Sequence, residues 1–251
     1  MSSSESVWQR PSQHPELGHD VVHVWRVSLS RPPSTVEALR RILTPDETDR
    51  ANRFHFAKDR DHFIISRATL RLIISRYLQT EPRSLRFSYG QHGKPALSNA
   101  TTLRFNLSHS HELALYAVTL DREIGIDLEY IREDFAGEEI ARDYFSQLEV
   151  AMLRDLPMNL RVEGFFNCWT RKEAYIKARS EGLSLPLNEF DVSLVPGDPV
   201  RLLNVLNNQE EVTRWSLRGL EPGAGYVAAV AVEGQDWQLD CWQWAEEEHE
   251  L

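Results

Sequence analysis

The chain has 251 residues, 41% hydrophobic and 26% charged, an ordinary globular composition with enough length for one large domain or two small ones. Its net charge of −10 argues against broad nucleic-acid binding, which needs a basic face. No run approaches the roughly 18 apolar residues of a membrane helix. Cys168 and Cys241 belong to no CxxC or Cys/His cluster, so packed thiols are expected rather than a zinc site or disulfide framework.

Residues 1–20 are polar and lack the basic-then-apolar layout of a signal peptide. They read as a flexible arm, and the protein as cytoplasmic. Residues 21–29 alternate and are Val-rich, which predicts a strand. A helix follows RPPS. A second helix start is written in LTPDET, with Thr44 as cap, Pro45 at the first helical position and Glu47 three residues after the cap. Residues 61–78 carry apolar side chains at helical spacing and predict a long helix with an Arg-rich outer side. Arg50, Arg53, Lys58, Arg60, Arg67, Arg71 and Arg76 fall between 50 and 76. They suit a small polyanionic ligand, or simply a solvated helix face.

Strands are predicted at LRFSY, PAL, LRFNLSHS, LALYAVTL and EIGIDLEYI. Ser146 and Glu149 open a helix at FSQLEVAML with a capping-box pattern, and a second long helix runs over about 163–179. Further strands read as FDVSLV, VTRWSLRGL, YVAAVAV and WQLDCWQW. The order long helix, aromatic strand, turn and Ala/Val strand thus occurs twice. It predicts an α+β fold of two similar halves, 21–120 and 121–245, related by a pseudo-twofold axis. A ligand is expected in the cleft between them, and residues 246–251 form an acidic tail.

Four short runs carry candidate chemistry. In IGIDLEYI, alternation puts Ile124, Ile126, Leu128 and Tyr130 on the core face and Gly125, Asp127 and Glu129 on the other. The two carboxylates stand side by side, roughly 7 Å apart at the backbone, and could converge on a cation such as Mg²⁺ beside Gly125. Two solvated acids at a strand edge would look the same. On the second long helix Glu173 and Lys177 share a face next to Trp169 and Tyr175. Charges there need partners if buried, although an exposed Glu–Lys pair has the same spacing. Ser108 and His109 sit where a hydroxyl and an imidazole could donate to a phosphate oxygen or cap a turn. A protease-type triad does not suit adjacent Ser and His, and no GxSxG elbow exists. Gly93-Lys94-Pro95 presents one Lys from a turn.

Together GKP (93–95), FNLSHS (105–110), GIDLE (125–129), WTRKEAYIKA (169–178) and GLSLPL (182–187) resemble the Sfp-type 4′-phosphopantetheinyl transferases, in that family's order. RxxRF at 50–54 fits as well, and WxxKEA resembles its W/KEA subgroup. The resemblance implies two α+β halves with coenzyme A between them. It implies transfer of the phosphopantetheine arm to a serine of an apo acyl or peptidyl carrier protein, with release of 3′,5′-ADP. It further implies Asp127, Glu129 and Glu173 as Mg²⁺ ligands and Lys177 as partner of the transferring phosphate. Ser108 and His109 become phosphate contacts, and Arg50, Arg53 and Lys94 nucleotide contacts. Some relatives carry a basic residue where Glu47 stands, which weakens the 3′-phosphate clamp. The expected catalytic set is Glu173, Lys177 and His109. The carrier is expected near residues 131–165, steered by Arg132, Arg142 and Arg154, with Tyr144 and Phe145 as core, and the protein is expected to act as a monomer. Two other readings use the same residues: a coenzyme A-binding module without catalysis, and a Mg²⁺-dependent phosphohydrolase.

Overall fold

The computed structural model describes residues 7–11, 15–90, 93–132, 134–135, 137–180, 185–206 and 208–245. β1 (Val21–Ser28) leads to α1 (Pro33–Arg40), α2 (Pro45–Ala51) and α3 (Ala57–Leu78). The hairpin β2 (Phe87–Tyr89) and β3 (Pro95–Leu97) follows, then β4 (Leu103–Ser110), β5 (Leu113–Leu120) and β6 (Ile124–Tyr130). The second part holds α4 (Glu138–Tyr144), α5 (Gln147–Asp155), α6 (Met158–Arg179), β7 (Phe190–Val192) and β8 (Leu202–Val205). It closes with α7 (Gln209–Arg214), β9 (Trp215–Leu220), β10 (Tyr226–Glu233) and β11 (Gln238–Gln243).

The fold is α+β, as expected. One sheet runs β11-β1-β5-β4 and the other β6-β10-β9, with two separate hairpins. In each part a 22-residue helix precedes a short hairpin and an antiparallel strand pair. The sheets exchange strands: β6 leaves β4–β5 to pair with β10, and β11 leaves β9–β10 to pair in parallel with β1. Three apolar clusters follow. One lies under α3, one around α6, and a third between the sheets holds Ile124, Ile126 and Leu128 with Val22, Val24 and Val230. The core face expected of β6 therefore packs between the sheets. Among the described residues no helix is long and apolar enough to cross a membrane.

Three elements differ from the sequence expectation. Residues 212–214 end α7 rather than starting a strand. There Asn208 caps the helix by accepting from the backbone N–H groups of Glu210 and Glu211. The arm is docked at Trp8 and Gln9. The Trp8 indole donates to the Glu221 carbonyl at 2.7 Å, and Gln9 bridges Trp242, covering the β11 edge. Residues 1–6, 12–14 and the acidic tail 246–251 lie outside the described residues.

The third difference is α3, whose arginines are not all outward. Arg71 is buried, and Glu47 accepts from its Nε at 2.7 Å and its terminal nitrogen at 2.9 Å, and also from Arg67. Glu47 closes the α2 capping box on the Thr44 backbone N–H at 3.0 Å as well. Burial alone would push this carboxyl up, but the bonds from Arg71, Thr44 and Arg67 hold it at about 2. Helical periodicity could not show this, because the counter-ion comes from another helix.

Candidate active site

β6 is positioned by a missing side chain. A Cβ on Gly125 would lie 2.1 Å from the Ala174 carbonyl oxygen and 2.3 Å from the Ala178 nitrogen. Only glycine lets β6 lie this close to α6. The room at Gly125 is therefore filled by the helix backbone, not by a ligand beside the acids. This contact brings Asp127 and Glu129 of β6 alongside Glu173 and Lys177 of α6.

β4 supplies the opposite wall. Asn106, Ser108 and Ser110 alternate along it and replace a strand ladder to β6 with side chains. Asn106 Oδ1 accepts from the Ile126 N–H at 2.9 Å, and Ser110 Oγ accepts from the Tyr130 N–H at 3.0 Å. Ser108 Oγ donates to Asp127 Oδ1 at 3.0 Å, and Ser110 Oγ donates to Glu129 Oε2 at 2.9 Å. The i, i+2 spacing of Asn106, Ser108 and Ser110 on one strand is the sequence signal that points to Asn106 and Ser110 as well as Ser108.

A cleft of about 1380 Å³ opens at this seam. Its walls hold Asp127, Glu129, Glu173, Lys177, Ser108, His109, Gly93, Lys94, Pro95 and Arg50. The structure thus brings together ten of the eleven residues singled out from the sequence. Arg53 is exposed and does not line the cleft. Lys58, His62 and Trp169 also line it. Lys58 and His62 lie one helical turn apart, so the face they share on α3 was available from spacing alone.

The charges are unevenly satisfied. Lys177 Nζ lies 2.6 Å from Asp127 Oδ1 and 3.1 Å from Ser108 Oγ, so its partner is Asp127 rather than Glu173. Asp127 Oδ2 is buried with no hydrogen-bond partner among the described residues. Among the same residues no hydrogen bond or ion pair engages the Glu173 carboxylate. Burial pushes the Glu173 carboxyl up, the Asp127 and Glu129 charges push it further, and Lys177 opposes them. Burial and Asp127 likewise raise Glu129 against Ser110, Lys177 and Arg132. His109 is exposed at the cleft, yet desolvation by the surrounding walls and the Lys177 charge lower its pKa. Three desolvated carboxylates at one seam form an oxygen donor set short of positive charge, which suits a hard cation such as Mg²⁺. As they stand, no three Asp, Glu, His or Cys side chains among the described residues are grouped to hold a metal ion.

Lys94 reaches the seam differently from a free phosphate ligand. Its ammonium donates to the carbonyls of Lys177 at 2.7 Å and Ile124 at 3.0 Å, and to Ser180 Oγ at 3.0 Å. It thereby caps the C-terminus of α6 and ties the β2–β3 hairpin across the cleft. Burial lowers its pKa, partly offset by Glu123.

The profile described as "4'-phosphopantetheinyl transferase superfamily" matches residues 123–231, and "4'-phosphopantetheinyl transferase, N-terminal" matches residues 30–120. The 4'-phosphopantetheinyl transferase HetI of Nostoc sp. is 40% identical over 243 residues, covering 96% of this chain and 99% of that protein. The chain belongs to the Sfp-type 4′-phosphopantetheinyl transferase family. The transferase Sfp of Bacillus subtilis is 31% identical over 68% of this chain and 76% of its own. The transferase ffp of Bacillus subtilis is 28% identical over 86% and 95%. The boundary between the two matched profiles falls at the β5–β6 turn, where the chain crosses from one sheet to the other. Each profile supplies one wall of the cleft: α2, α3 and β4 on one side, β6 and α6 on the other. The last family motif, GLSLPL, has Gly182 to Ser184 outside the described residues.

Proposed function

We propose that this transferase moves the 4′-phosphopantetheine arm of coenzyme A to a serine hydroxyl of an apo acyl or peptidyl carrier protein, releasing 3′,5′-ADP. The observation that carries this reading is the seam itself, where under-partnered carboxylates stand beside Lys177, Ser108 and His109 in one open cleft. Asp127 and Glu129, with Glu173, would hold a Mg²⁺ ion, and the orphaned Asp127 Oδ2 supports that fit. Such an ion, when bound, neutralises charge on the pyrophosphate of the substrate.

The chain's own residues do the rest. Lys177 sits between Ser108 and Asp127 as a charge-assisted donor for the transferring phosphate. Ser108 and His109 add donors along β4. Glu173 has a raised pKa and accepts no hydrogen bond among the described residues, as suits a base for the carrier serine. The serine oxygen forms the new bond to phosphorus, its proton passes to Glu173, and the pyrophosphate bond breaks towards 3′,5′-ADP. Arg50 and Lys58 lie on the α2–α3 wall, where they would meet the nucleotide end.

The carrier would dock on the α4–α5 corner. Tyr144 and Leu148 are exposed there, beside Arg142 and Arg154, whereas Phe145 is core. Tyr144 thus departs from its expected place in the core, since α4 ends at it and turns its ring outward against Trp169. The WTRKEA run supports a place in the W/KEA subgroup, and a cleft built wholly from one chain supports action as a monomer. Incubation with coenzyme A and Mg²⁺, with and without apo carrier, tests the reading. Carrier-dependent 3′,5′-ADP is expected. Carrier-independent product would make the protein a phosphohydrolase, and binding without product would make it a coenzyme A-binding module.

A further inference from the structure

α6 carries a second lysine that never reaches the cleft. Lys172 is fully buried, and its ammonium lies 2.7 Å from Glu149. It donates to the carbonyls of Leu187, at 2.7 Å, and Phe190, and stands 4.2 Å above the Phe190 ring. Glu149 is equally buried. It accepts from the Ser146 N–H at 2.9 Å, closing the α5 capping box, and from the Val192 N–H at 2.8 Å. One ion pair therefore joins α5, the 187–192 segment with β7, and α6.

The placement gives the pair a meaning. Lys172 precedes Glu173 in the chain, so the two side chains leave the helix about 100° apart. Glu149 lies on α5, one residue after Leu148 of the exposed corner. A buried ion pair is a costly way to obtain stability, and an apolar pair of equal volume often does as well. What a fully bonded pair adds is a single register. Apolar side chains can slide past one another, but here each ammonium and carboxylate bond fixes a direction.

We propose that Glu149 and Lys172 are positioning residues that lock the rotation of α6 against α5, so that Glu173 meets a serine delivered by a carrier on the α4–α5 corner. The inference rests on the carrier-docking reading above. Misplacement of a reacting group by about 1 Å can cost on the order of 100-fold in rate. The pair therefore acts on turnover and not on coenzyme A binding.

The test compares Lys172→Met, the double variant Glu149→Gln/Lys172→Met and Glu149→Asp with the parent protein. Arg171→Met is the control. It removes the neighbouring buried cation, which binds the Ser193 carbonyl just after that segment. Each is assayed for kcat with apo carrier, for coenzyme A affinity by calorimetry, and for melting temperature. Lys172→Met and the double variant should lose about tenfold or more in kcat with coenzyme A affinity within about twofold. The double variant should recover melting temperature but not kcat, whereas Arg171→Met should melt lower and keep its kcat. A folded double variant with parental kcat would overturn the proposal, and so would coenzyme A affinity falling in step with kcat. If the first two fail to fold, Glu149→Asp decides, since it keeps both charges and shortens the link by one methylene. Reduced kcat with intact coenzyme A binding supports the proposal, and parental kcat overturns it. A parent protein without carrier-dependent transfer would instead overturn the function proposed above.

Discussion

Two groups of buried or half-buried carboxylates divide this molecule. Glu47 accepts from the Thr44 N–H and from two arginines, and Glu149 from two backbone N–H groups and a lysine. At the cleft, by contrast, Glu129 accepts one serine hydroxyl, Asp127 leaves one oxygen bare, and Glu173 accepts nothing among the described residues. The first group is completed by the protein and holds elements together. The second is left for something from outside to complete, which is how a binding or catalytic centre differs from a structural ion pair.

The largest effect expected from breaking this contrast is at Glu173. Glu173→Gln should lose on the order of 100-fold or more in transfer, with a melting temperature equal to or above that of the parent. Retained transfer would remove Glu173 as base, and a marked fall in melting temperature would place it with the structural acids. Glu47→Gln should do the reverse. Removing one partner of a buried pair costs about 3–5 kcal/mol, so chemical denaturation should show a large loss while the folded fraction keeps most of its turnover.

Acid sharpens the same point. Glu47 has a folded pKa of about 2, below its unfolded value of about 4.3. Its stabilisation is complete above the unfolded value and is lost as pH falls from about 4 through 2. Between those limits the parent protein should lose stability more steeply than Glu47→Gln, as read by denaturant midpoints across pH. Parallel curves would mean that the pair contributes little.

The family motifs were legible because each is a short run with its own spacing. β6 alternation placed Asp127 and Glu129 on one face, and the capping boxes at Thr44 and Ser146 marked two helix starts correctly. What stayed hidden depends on contacts between distant segments. The partner of Arg71 is 24 residues away on another helix, and Lys94 caps a helix that ends more than 80 residues later. Gly125 looked like space for a ligand because a sequence does not show which backbone will fill it. The exchange of β6 and β11 between sheets was equally invisible, since alternation is the same whichever neighbour a strand pairs with.

Smaller effects follow at the edges of the cleft. Lys94→Met should raise the KM for coenzyme A several-fold, because the hairpin and the α6 terminus lose their common tie. An unchanged KM would remove Lys94 from the site. Charge reversal at Arg142 and Arg154 should change carrier kcat/KM a few-fold, and most at low salt. Identical salt dependence in parent and variant would take the carrier off this corner.

The most direct measurement is the intact mass of an apo carrier protein after incubation with coenzyme A, Mg²⁺ and either the parent enzyme or Glu173→Gln. With the parent, one phosphopantetheine should be added at the carrier serine and 3′,5′-ADP formed in equal amount, with little of either from the variant. Product formed without carrier, or a carrier modified equally well by Glu173→Gln, would contradict the account.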